Sequence, residues 1–256
     1  MTSPVLAIER LDKVYYPQGG GQVEALRDIS FQVGKGEFVS IIGPSGCGKS
    51  TLLEIVGGLK SKSSGRILLK GKDIDGVDPS VKTVFQEDTA LPWRTTLGNV
   101  ELGLEVRGVS KKERREKCLD MIRLVGLSGF EHRYPGELSG GMRQRVAIAR
   151  TLVLEPEVLL MDEPFGALDE QTRLLLGDEL LNIWAQLGQT ILFVTHSISE
   201  AVLLSDRVIV MSCRPGSLKD NLPIKIERPR RLGEERVSRL VQNIWEMLRD
   251  EVSRES

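Results

Sequence analysis

GPSGCGKST, residues 43–51, stands between the apolar run FVSII (38–42) and the helical pattern TLLEIVGGL (51–59). This satisfies the spacing GxxxxGK[ST] in the strand–loop–helix setting that gives it mechanical meaning. A chain that carries such a loop out of a buried strand into a helix is committed to an α/β core. Gly43, Gly46 and Gly48 permit unusual dihedrals and close approach, so that backbone N–H groups can surround a polyanion. Lys49 supplies a point charge for β- and γ-phosphates, Ser50 a hydroxyl ligand for Mg²⁺, and the helix start its dipole. Pro44, Ser45, Cys47 and Thr51 complete the span of the loop.

VLLMDEP (158–164) is the complement such a loop requires: a buried strand ending in two acids. Successive residues at a strand end point in different directions. Asp162 is therefore assigned to the metal and Glu163 to the γ-phosphate side, where it can polarise an attacking water. TILFVTH (190–196) is a further apolar strand, and it delivers His196 to the position of a γ-phosphate contact. A histidine after a strand is also compatible with a structural or solvated role.

Ser139 in LSGGMRQRVAIAR (138–150) has no neighbouring base and no GxSxG frame, which argues against a covalent nucleophile. Followed by Gly140 and Gly141 and opening a helix, it reads as a second anion site made of hydroxyl, N–H groups and dipole. An ordinary helix entry fits the same residues, and chemistry alone does not separate the two. If the first is right, one nucleotide is clamped between the loop of one copy and Ser139 of another, giving a symmetric dimer with composite sites.

The expected fold is a P-loop NTPase core of the α/β class with a mixed, largely parallel sheet, an N-terminal antiparallel β-subdomain and a helical insertion. Residues 5–42 carry short apolar segments around the turn PQGGGQ (17–22). KKERREKCLDMIRLVGL (111–127) and VAIARTLVL (146–154) have helical periodicity, and a further helix is expected at about 170–187. The chain divides as one nucleotide-binding domain over 1–256: core and β-subdomain at 1–88 and 158–213, helical insertion at 89–157, and an extension at 214–256 that closes the core with loops or edge strands. Val237, Leu240, Val241, Ile244, Trp245 and Leu248 predict an amphipathic final helix that packs on its own domain or on a partner.

Composition narrows the alternatives. A formal charge of −1 offers no global attraction for nucleic acid, so no nucleic-acid partner is expected. Cys47, Cys118 and Cys213 are odd in number and outside any CxxC spacing, which favours reduced thiols in a cytosolic setting. No apolar run approaches membrane-spanning length.

GPSGCGKST, Gln86, LSGGM, VLLMDE, GALD (166–169) and His196, in this order and at these separations, resemble the ATP-binding cassette subunits of membrane transporters over nearly the whole chain. The resemblance implies that Ser139, Gly140 and Gly141 meet the γ-phosphate of ATP held by the opposing subunit, and that Tyr15 stacks on adenine, with Tyr16 the competing choice. It further implies that Gln86 senses Mg²⁺ and water, that Asp169 links the two sites, that Glu163 is the general base and that His196 is the γ-phosphate switch. Met142 stands where the family's commonest signature has glutamine, and Ser197 where the subgroup usually has an acid.

LPWRTTLGNVELGLEVRG (91–108), YPGELSGGMRQR (134–145) and MDEPFGALDEQTR (161–173) are similar to subunits that energise nitrate, sulfonate and taurine importers. This implies a homodimer of this chain, two transmembrane permease subunits and a periplasmic or lipid-anchored solute-binding protein, with the chain peripheral at the cytoplasmic face of the membrane. A soluble non-transport ATPase of the same family is the alternative.

Overall fold

The computed structural model describes residues 4–86 and 89–255. Antiparallel strands β1 (Leu6–Tyr15) and β2 (Val23–Val33) are followed by β3 (Phe38–Ile42), which feeds α1 (Lys49–Val56). After β4 (Ser64–Leu69), β5 (Lys72–Asp73) and β6 (Val81–Val84), the chain turns helical in α2 (Thr96–Val106), α3 (Lys111–Leu124) and α4 (Gly140–Leu152). It then alternates through β7 (Val158–Asp162), α5 (Glu170–Leu187), β8 (Thr190–Val194), α6 (Ile198–Leu204) and β9 (Arg207–Met211), ending with β10 (Leu218–Pro223) and α7 (Glu235–Glu255).

Two sheets result. One has the order β2-β1-β4-β5 and is antiparallel throughout. The other runs β10-β9-β3-β8-β7-β6; four of its five pairings are parallel, and β10 adds antiparallel to β9 at one edge. The α/β class and the mixed, largely parallel sheet expected from the sequence are what is found. β10 lies in the 214–256 extension, so that segment contributes an edge strand to the central sheet, while the division placed at residue 88 falls outside the described residues.

Strand alternation sends neighbouring side chains into different cores. Val158, Leu160, Leu192 and Val194 face the antiparallel sheet and α1, whereas Leu159, Met161, Ile191 and Phe193 face the helical insertion and α5. The same strands are thus buried on both faces, and their C-terminal ends open at the motif loops. A third cluster joins Ile42, Val208 and Val210 to Ala201 and Val202 of α6 and Val237 and Ile244 of α7. The final helix therefore packs on its own chain. Trp245 departs from the face assigned to it: it is 45% exposed, with the Arg249 guanidinium 5.1 Å from its ring centre. A second difference concerns α4, which starts at Gly140, ahead of the stretch with visible periodicity, because Ser139 caps it. Among the described residues, no helix is long and apolar enough to cross a membrane.

Candidate active site

At the end of β3 the backbone passes through positive φ at Gly46 and Gly48, and Gly48, at φ 105°, is the N-cap of α1 with no side-chain capping bond. The first N–H groups of α1 are thereby left to an external acceptor. Gly48 also has no room for a side chain: a Cβ there would lie 2.7 Å from Leu26 Cδ2 and 3.0 Å from the Ala25 carbonyl oxygen. Lys49 Nζ donates to the carbonyls of Gly43 (2.9 Å) and Pro44 (3.0 Å), which holds the ammonium across the loop.

The acids arrive from β7. Its parallel register with β8 pairs Asp162 with Val194, and the Glu163 N–H continues the ladder to the Val194 carbonyl at 2.9 Å. Ser50 Oγ donates to Asp162 Oδ1 at 3.1 Å, placing two hard oxygen donors side by side. Burial pushes the Asp162 carboxyl above the usual range, with the Ser50 hydrogen bond opposing. Glu163 takes φ 44°, an uncommon conformation for a non-glycine residue. Its Oε2 lies 2.9 Å from His196 Nδ1.

His196 is presented by a short loop whose anchors are buried. Thr195 Oγ1 donates to Glu200 Oε2, Arg173 Nε stands 3.4 Å from Glu200 Oε1, and burial pushes the Glu200 carboxyl up. Ser197 caps α6 by accepting from the Glu200 N–H at 3.3 Å. Serine and aspartate cap helices about equally well, so the departure from an acid here keeps its local role. Gln86 reaches the same place from the end of β6: a methyl group at Gly166 would lie 3.3 Å from Gln86 Nε2 and 3.5 Å from Glu163 Oε2.

A cleft of about 480 Å³ gathers Tyr15, Ser45, Gly46, Gly48, Lys49, Ser50, Thr51, Glu163 and His196, together with Val23, Ala25 and Arg214. Its size is that of a small-ligand site. Tyr15 lies in it with Lys13 Nζ 4.8 Å from its ring centre, whereas Tyr16 is 76% exposed and does not line it. Ser139 and Asp169 lie outside it: each is a helix N-cap, Ser139 Oγ accepting from the Met142 N–H at 3.3 Å and Asp169 from the Thr172 N–H at 2.9 Å and its hydroxyl at 2.7 Å. Gly141 is buried against α5, and Met142 packs on the insertion's core while supplying only its backbone to the cap. The sequence reading passed over Val23, Ala25 and Arg214; the first two carry no motif, and RPG (214–216) is the one local signal for the third.

This donor set suits a nucleoside polyphosphate. A glycine cradle with no space for a Cβ, an uncapped helix N-terminus and a lysine face it, and an aromatic ring closes the other end. Among the described residues no group of three His, Cys, Asp or Glu side chains could hold a metal alone. Ser50 and Asp162 together fit a Mg²⁺ that takes its other oxygens from phosphates and water.

The ABC transporter family profile matches residues 26–166. An uncharacterized ABC transporter ATP-binding protein of Methanocaldococcus jannaschii is 49% identical over 247 residues, covering 96% of this chain and 92% of the relative. The aliphatic sulfonates import ATP-binding protein SsuB of Bacillus cereus is 46% identical over 216 residues (84% and 85%), and the taurine import ATP-binding protein TauB of Yersinia pestis is 46% identical over 200 residues (78% and 78%). A dimeric bacterial ABC transporter cassette superposes with a TM-score of 0.75 at 32% identity over 87% of this chain and all of the other, and a post-hydrolysis form of that dimer holds ADP and Pi. With the loop, Glu163 and His196 lining one cleft and Asp162 bonded to Ser50 at its edge, these likenesses place the chain in the ABC transporter family, as one of its ATP-hydrolysing cassettes.

Proposed function

We propose that this cassette energises import of a small organic or inorganic anion, such as a sulfonate, taurine or nitrate, by ATP-driven closure of a homodimer. The observation that carries the reading is the 46% identity, over most of both chains, to ATP-binding proteins named for sulfonate and taurine import. Tyr15 stacks on adenine, the glycine loop and Lys49 hold the phosphates, and Ser50 and Asp162 hold Mg²⁺ with Gln86 beside it. When bound, Mg²⁺ neutralises phosphate charge as the terminal bond breaks. Glu163 Oε2 accepts a proton from the attacking water, and His196, at 2.9 Å, orients that carboxylate and reaches the γ-phosphate. Ser139, Gly140 and Gly141 close the site from the other copy, and Asp169, at the N-terminus of α5, links the two sites.

Each chain works as one domain whose core (1–88 and 158–213), helical insertion (89–157) and extension (214–256) move with the nucleotide. Two permease subunits and a periplasmic or lipid-anchored solute-binding protein complete the assembly, with the cassettes peripheral at the cytoplasmic face. The insertion offers the permease a surface. Phe85, Val106, Arg107 and Leu154 line a groove of about 460 Å³, Val106 is 80% exposed, and Trp93, ahead of α2, is 71% exposed. Buried Asn99 fixes the Trp93 loop by accepting from the Leu91 N–H and donating to the carbonyls of Leu91, Arg94 and Thr95. Arg150 of α4 donates to the Thr89 carbonyl at 2.8 Å, joining the signature helix to the segment that leaves Gln86. Movement at either end is thus shared with the groove.

The test uses tagged Glu163→Gln, which retains ATP and hydrolyses it about 10²-fold more slowly. Extraction of membranes with Mg-ATP in mild detergent should co-isolate a multi-spanning protein in equal amount with the cassette. Recovery of a soluble dimer bound to ribosomes or nucleic acid would overturn the importer reading.

A further inference from the structure

The loop between β9 and β10, Ser212–Ser217, touches the phosphate loop on one side and the C-terminal helix on the other. Arg214 at its tip lines the nucleotide cleft, and its Nη2 donates to the Gly46 carbonyl at 3.1 Å. Among the described residues Arg214 forms no ion pair with a carboxylate, so a guanidinium with five N–H donors stands at the rim of an anion-binding cleft. The loop backbone leaves no slack. Gly216 exchanges hydrogen bonds with β2, its N–H donating to Ala25 (3.0 Å) and its carbonyl accepting from Arg27 (2.9 Å). A Cβ at Gly216 would fall 2.0 Å from the Cys47 carbonyl oxygen, so this backbone rests directly on the phosphate loop.

The other side of the same loop is held by α7. Glu251, 3% exposed, accepts from the Cys213 N–H through Oε2 at 3.1 Å and from Lys219 Nζ through Oε1 at 2.7 Å, and Lys219 also donates to the Met247 carbonyl at 2.8 Å. A buried carboxylate with both oxygens committed is costly to displace, which makes it a rigid fixture. The residue it fixes is the immediate neighbour of Arg214.

We propose that Arg214 is a second cation of the nucleotide site, contacting the phosphate chain, and that Glu251 of α7 is its positioning residue, so that docking of the C-terminal helix sets nucleotide affinity. A guanidinium matches phosphate oxygens with paired donors, which Lys49, as a point charge, does not. The proposal rests on the cleft holding a nucleotide, which is checked separately by fluorescent mant-ADP binding to the wild-type chain and its loss in Lys49→Ala.

Titration of mant-ADP and mant-ATP into Arg214→Ala should show roughly tenfold weaker binding than wild type, with Arg214→Lys between the two. Unchanged affinity in Arg214→Ala, with wild-type binding intact, overturns the contact. For the positioning link, Glu251→Ala should weaken nucleotide binding in the wild-type background but add nothing in the Arg214→Ala background, while lowering the thermal midpoint in both. Additive weakening in the double variant overturns the role of Glu251. If Glu251→Ala does not fold, Glu251→Gln, which keeps one acceptor for the Cys213 N–H, serves in the same cycle.

Discussion

Two helices of this chain begin at glycines, and their N-termini are built to opposite ends. At α1 the cap is Gly48, no side chain satisfies the first N–H groups, and Lys49, Ser50, Asp162, Glu163 and His196 surround them. At α4 the cap is Ser139, whose hydroxyl already accepts from the Met142 N–H, and it lies outside the cleft at α1. The first gathers the phosphate loop, the acids and the histidine within one chain. The second, which we propose is half of a composite site, has a dipole, two glycines and a hydroxyl. A second copy supplying phosphates gives the α4 terminus a use that a lone chain does not.

The largest expected effect tests the first terminus. Replacing Lys49 by Ala removes the charge that the loop holds across its own carbonyls. Hydrolysis should fall by about 10³-fold, and ADP binding by the isolated subunit should be lost with it. A Lys49→Ala chain that binds ADP as wild type does would mean that the cleft is organised around some other group.

Ser139→Ala should separate the two termini. Binding of ADP to the dilute subunit stays at the wild-type value, because Ser139 is outside the cleft, while hydrolysis at saturating ATP falls by about 10²-fold. Specific activity of the wild-type chain should rise steeply with protein concentration, and that dependence should weaken in Ser139→Ala. Loss of the cap also lowers unfolding stability by about 1 kcal/mol, measured by urea denaturation. Equal loss of ADP binding in Lys49→Ala and Ser139→Ala would erase the distinction between the two termini.

How far each terminus can be read from sequence follows from the same contrast. The α1 terminus is legible because strand, loop, lysine and hydroxyl are contiguous at 38–51, and a local pattern fixes local geometry. Ser139 is less so: a hydroxyl before two glycines serves as a cap or as a ligand, and in the single chain it is a cap. The parallel core and the long helix over 170–187 are legible from apolar runs of strand length on either side of a helical segment, since both faces of β7 and β8 are buried and α5 is long, whereas residues 5–42 read only as β-rich. α2 was not, because TLGNVELGLEV carries two glycines and little amphipathic bias; its formation depends on the Thr95 cap and on packing against α3 and α4. Arg214 was not legible either. Its place in the cleft comes from its own bond to Gly46 and from the bonds of its loop neighbours Gly216 to Ala25 and Cys213 to Glu251, partners far apart in sequence.

The smallest effect concerns what kind of cap each helix has. Ser139 is a hydroxyl cap and carries no titrating group, whereas α5 is capped by Asp169, whose carboxyl is held below its usual range by the Thr172 N–H, then by the Thr172 hydroxyl. A carboxyl with a lowered folded-state pKa adds stability that is fully present above its unfolded value and lost as pH falls through the folded one. Asp169→Asn keeps an acceptor for the Thr172 N–H but cannot titrate. Urea midpoints of wild type and Asp169→Asn should therefore differ at neutral pH and converge as pH falls below the unfolded value of 3.8. The difference between wild type and Ser139→Ala should stay constant over the same range. If it instead collapsed in acid, a carboxylate would be supporting the α4 terminus, and the serine could not be the cap on which the half-site reading depends.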